Sequence, residues 1–155
     1  GVAEASVTMM LFLYGLGAVI GNLASGYFTD RSGSVRVLTV TYVGMAAGLA
    51  ALAWVAASGV SQTVLVGFLA AVWGGMSWAQ TPPQQHRLIA AAPQEVPLVV
   101  SLNSSFIYLG IGAGTALGGV VLSAGPPMLY AVGAAIALVS LVFLRVVART
   151  GSAAA

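Results

Sequence analysis

The 155-residue chain has no cysteine and no lysine. Without cysteine it can form neither a disulfide nor a thiolate metal site, and its redox compartment goes unmarked. Charge is almost as scarce. Five arginines, three carboxylates and one histidine leave 5% charged residues, where soluble domains carry roughly a quarter. That is too little polar material for a water-facing surface, and too thin a positive balance for a nucleic-acid footprint. What remains is an integral membrane protein in contact with the lipid bilayer.

What the chain does have is apolar length: 59% of its residues are hydrophobic. A membrane-spanning helix needs about 20 such residues in a row, and five runs qualify, at about residues 6–29, 35–57, 62–80, 97–122 and 128–144. None has an ionisable residue in its middle. The six prolines, Pro82, Pro83, Pro93, Pro97, Pro126 and Pro127, all fall between or at the edges of the runs, where a missing N–H costs little. The expectation is an all-α, single transmembrane domain of five helices. If the helices alternate sides, Arg31, Arg36, Arg87, Arg145 and Arg149 all fall on one side. The excess of arginine in cytoplasmic loops then puts Gly1 outside and Ala155 in the cytoplasm. The longest loop, about 81–96, becomes cytoplasmic, and its Leu88, Ile89 and Ala90–Ala92 suggest a short helix lying along the membrane surface.

Between such helices, close packing replaces the hydrophobic effect, and small residues mark the contact. Gly110, Gly114 and Gly118 form a doubled four-residue repeat in the fourth run, and Gly17 and Gly21 repeat it in the first. Gly44 and Gly48 do so in the second. The stretch around Gly15 and Gly17 loosely echoes a dinucleotide fingerprint, but that motif needs a preceding strand and a following acid. No cofactor is expected.

Charge concentrates in GYFTDRSGSVR, residues 26–36, between the first two runs. Extended by Val37 and Leu38, the stretch resembles the loop signature of the major facilitator superfamily, with Gly26, Asp30, Arg31, Gly33 and Arg36 on its motif positions. Ser34 and Val35 stand where basic residues are frequent. Ser101 to Gly119, SLNSSFIYLGIGAGTALGG, is similar to the eleventh helix of the drug- and sugar-efflux branch. The chain then closes with RTGSAAA, as a C-terminus would. The resemblance therefore implies helices eight to twelve of a twelve-helix transporter, a six-helix repeat lacking one helix, whose partner is the absent N-terminal half. Helices two to six of the other half are the variant reading.

The same resemblance implies proton-coupled export of a small molecule, in antiporter fashion, from a bacterial cytoplasmic (inner) membrane. It puts the first, third and fourth helices beside a substrate cavity and the second and fifth toward lipid. Tyr14, Asn22, Trp78, Asn103 and Tyr108 are the candidates to line that cavity, and the loop motif is the candidate gate. Trp54 and Trp73 read as interface or packing residues. Because none of the five runs has an ionisable residue in its middle, a coupling carboxylate is expected elsewhere in the transporter. An enzyme reading would have to draw on Glu4, Asp30, His86 and Glu95, whose spacing has no metal-ligand or acid–base pattern. A small self-associating structural or assembly protein is the alternative to transport.

Overall fold

Apolar runs in lipid have to satisfy their backbone internally, and the α-helix does so segment by segment. The computed structural model describes residues 4–59 and 63–153. Gly1, Gln62 and Ala155, which bear on the expected orientation and on the start of the third run, lie outside the described residues, as does the Glu4 side chain. Six α-helices follow one another: α1 (Glu4–Ser32), α2 (Ser34–Ser58), α3 (Thr63–Ala79), α4 (Thr81–Ala91), α5 (Val96–Val121) and α6 (Pro126–Ala153). A short 3-10 turn, Leu122–Ala124, joins the last two, and no strand occurs among the described residues. Five stretches are long and apolar enough to cross a membrane, α3 and α4 together making one of them.

The boundaries follow from backbone chemistry. Gly33 alone separates α1 from α2, at φ 84° and ψ 150°, a conformation that a side chain would oppose. Proline falls in the first turns of α4 and α5 and opens α6, where its fixed φ suits the helix and its missing N–H costs nothing. The segment from Thr81 folds as α4 directly after α3. α6 continues to Ala153, past the expected limit near Leu144. Lipid thickness limits an apolar run, but a helix stops only where its backbone is interrupted. Residues 145–150 hold no glycine or proline.

α1 packs along α3, while α2 packs against both α3 and α6. The core forms where α2 meets its neighbours: Leu49, Leu52 and Val55 bury against Leu69 of α3 and Ala134 of α6. A second cluster joins Leu38 and Tyr42 to Leu144. The resemblance expects α2 toward lipid, yet within this chain it is the most buried span, because two helices share its surface.

Glycine sets the spacing of α1 and α3. A Cβ on Gly17 would overlap the Ala71 carbonyl, one on Gly21 the Gly75 carbonyl, and one on Gly74 the Tyr14 carbonyl. Gly17 and Gly21 were expected at a packing face; Gly74 and Gly75 supply the complementary side. On α2, a Cβ at Gly44 would crowd Met76 Sδ at 2.7 Å. α5 differs. It has no buried residue; Gly110 and Gly114 meet nothing within 4 Å, and Gly118 would only touch Leu129 at 3.4 Å. Of the glycine stripe expected to pack there, only Gly118 lies against another helix among the described residues, at Leu129 of α6.

Gly21→Val in the full-length protein is expected to cost about 1–3 kcal/mol, the usual penalty for overpacking a tight contact. Thermal unfolding in detergent would show it, with Gly15→Ala as the comparison, since a Cβ at Gly15 meets nothing within 4 Å.

Candidate functional site

The close approach of α1 and α3 brings polar and aromatic side chains together within the spans. Trp78 Nε1 donates to the Tyr14 hydroxyl at 3.3 Å, and Asn22 Nδ2 donates to the Trp78 carbonyl at 3.3 Å. The Tyr14 ring lies 4.9 Å from that of Trp73, tilted by 50°. Asn22 and Trp78 border an open hollow of about 330 Å³, completed by Ala18, Val19 and Leu23. Its walls are apolar and aromatic with a single amide, a composition that suits an amphipathic or apolar ligand better than an ion.

Of the five expected cavity residues, Tyr14, Asn22 and Trp78 form this cluster. Asn103 and Tyr108 lie apart on α5: Tyr108 is 74% exposed, and Asn103 Nδ2 is covered without a hydrogen-bond partner. Trp73, read from sequence as a packing residue, belongs to the cluster through Tyr14. No spacing links positions 14 and 73; the glycine pair at 74 and 75 beside two tryptophans was the available signal.

A second site forms where α1 turns into α2. Asp30, Arg31, Gly33 and Arg36 are exposed. Asp30 has no hydrogen bond or ion pair among the described residues. Arg31 stacks its guanidinium 3.6 Å from the Tyr27 ring centroid, a cation–π contact of about 0.5–1 kcal/mol at an exposed position. Gly26 faces the start of α4, where an added Cβ would lie 3.9 Å from Pro82 Cβ. α4 is tied back to α2 at two points: Ser34 Oγ lies 3.0 Å from His86 Nδ1, and Gln84 Nε2 donates to the Tyr42 hydroxyl at 3.0 Å. Between the turn and α4 opens a cleft of about 630 Å³, lined by residues 32–36 with His86, Arg87 and Ala90. Sequence reasoning used Arg87 only to orient the helices and found no metal-ligand or acid–base pattern around His86. Among the described residues, no three of histidine, aspartate and glutamate gather as a metal site would require.

Five membrane-length apolar spans among the described residues define a multi-pass helical membrane protein. The sequence profile of the Major Facilitator Superfamily matches residues 1–154, and the chain belongs to that superfamily. It is similar to the inner membrane transport protein YdhP of Escherichia coli O157:H7, 34% identical over 145 residues covering 89% of this chain and 35% of that protein. YdhP of strain K12 is 35% identical with the same coverage. An MFS-type transporter of Bacillus subtilis, YbcL, is 25% identical over 111 residues, or 72% of this chain and 27% of that protein. The chain thus spans about a third of the length of the YdhP proteins. No solved structure matches it.

Tyr14→Phe and Trp78→Phe are expected to couple in a double-mutant cycle by about 0.6 kcal/mol, the average for hydrogen bonds between membrane helices. Reversible unfolding of the full-length protein in detergent would measure it. A coupling indistinguishable from zero would mean that the bond does not hold the two rings together.

Proposed function

We propose that the chain forms helices eight to twelve of a twelve-helix secondary transporter that exports small amphipathic molecules from bacteria by alternating access. The carrying observation is the Tyr14–Trp78–Asn22 cluster on an α1–α3 face that no described helix covers. Transporters of this kind hold substrate near the midplane between two halves and rock one half against the other; an open, aromatic-lined face is what one half contributes. The open glycine face of α5 supports the same reading, since a further helix could pack there.

In this reading Gly1 lies outside and Ala155 in the cytoplasm, by the segregation of the arginines. The α1–α2 turn is then cytoplasmic, and the unpaired Asp30 carboxylate is placed to accept N–H groups from a helix start in another part of the transporter. That contact would hold one state of the cycle and be broken in the other. Proton coupling would rest on a carboxylate outside these spans. The enzyme reading finds no support in the placement of Asp30, His86 and Glu95. A self-associating assembly protein is the second reading, favoured by the same open α5 face, which a second copy could cover.

In proteoliposomes of the full-length protein, with ethidium as the exported probe, Asn22→Ala and Tyr14→Ala are expected to raise KM several-fold with smaller changes in kcat. Asp30→Asn is expected to lower kcat about tenfold with KM nearly unchanged, equivalent to about 1.4 kcal/mol at the barrier. Equal rates for Asp30→Asn and the parent would remove the gating role.

A further inference from the structure

The transport reading uses the α1–α2 turn as a gate but assigns no ligand to the cleft between that turn and α4. Arg36 projects from the start of α2 and Arg87 from α4, and both line it. Neither forms an ion pair among the described residues, and no carboxylate is among its lining residues. Its floor is built: Ser34 is 7% exposed and its hydroxyl is locked to His86 at 3.0 Å. Two arginines facing one cavity without an acid between them lack a counter-charge.

We propose that this cleft binds a phosphate group, carried by the headgroup of an anionic membrane lipid or by a free phosphate. The guanidinium fork matches two phosphate oxygens at once, and such charge-assisted bonds are about twice as strong as neutral ones. The first turn of α2 lines the same cleft, and its N-cap, Gly33, offers no side-chain hydrogen bond. Its N–H groups and the positive end of a long helix therefore add to the arginine field. At about 630 Å³ the space is large enough to hold a whole headgroup. Val35 of α2 and Ala90 of α4 also line the cleft and offer apolar surface to the glycerol end. The cleft lies at the terminus of the Ser34–Ser58 span, the depth at which basic pockets meet lipid headgroups.

The test is isothermal titration of the full-length protein in a neutral detergent with three probes: dihexanoyl phosphatidylglycerol, dihexanoyl phosphatidylcholine and inorganic phosphate. Phosphatidylglycerol is expected to bind at least about tenfold more tightly than phosphatidylcholine, and R36Q/R87Q to lose that advantage. R145Q/R149Q, which removes the same charge from α6, is expected to keep it. R87Q alone, on the short α4, is the second variant and should weaken binding part of the way. Phosphatidylglycerol binding that millimolar inorganic phosphate leaves intact identifies the lipid as the source, whereas inorganic phosphate binding equally well identifies a free-anion site. The proposal is overturned if no probe binds, if R36Q/R87Q binds like the parent, or if R145Q/R149Q loses as much.

Discussion

Contact between the backbones of α1 and α3 is the constraint on which the rest depends. In lipid nothing drives two leucine-rich helices together, so their separation is fixed by what stands between them. At Gly17, Gly21 and Gly74 nothing does, and helix carbonyls occupy the space where a Cβ would be. Only at that separation does the Trp78 indole reach the Tyr14 hydroxyl and the Asn22 amide the Trp78 carbonyl. The polar and aromatic cluster beside the hollow is therefore a product of the packing, and the residues that permit it carry no side chain.

A second level of organisation surrounds α2. Its leucines and Val55 form the apolar core with α3 and α6, and its first turn and Tyr42 hold α4 through Ser34–His86 and Gln84–Tyr42. One helix thus connects the chain's dry interior to its charged end. α5 belongs to neither level, since it touches its chain neighbours α4 and α6 but not α1, α2 or α3. In a family whose YdhP members are about three times as long as this chain, a helix with an open glycine face is the part least defined by what it touches here.

The helical architecture was legible from hydropathy and proline placement, because lipid leaves a spanning backbone few alternatives. The glycine-rich turn was legible too: Gly33 takes the positive φ that a one-residue joint demands. Pairings between helices distant in sequence were not. Nothing local relates Tyr14 to Trp73, or Ser34 to His86, and the glycines of α3 that make the first pairing possible form no four-residue repeat. Conversely, the clearest repeat in the sequence, Gly110–Gly114–Gly118, has no packing partner here except Leu129 beside Gly118. A repeat announces a surface for close approach without naming what approaches it.

The joint at Gly33 leaves little slack between α1 and α2. One residue has two soft dihedrals, and here they hold values that suit glycine alone. Both flanking residues are helical, and Gly33 is itself bonded into them, its N–H to the Thr29 carbonyl at 3.0 Å and its own carbonyl to the Val37 N–H at 3.3 Å. Mechanically this is an elbow rather than a tether. A tilt of α1 is passed to α2 as torque, reaching α6 through the apolar core and α4 through two hydrogen bonds, without a flexible segment in which to dissipate.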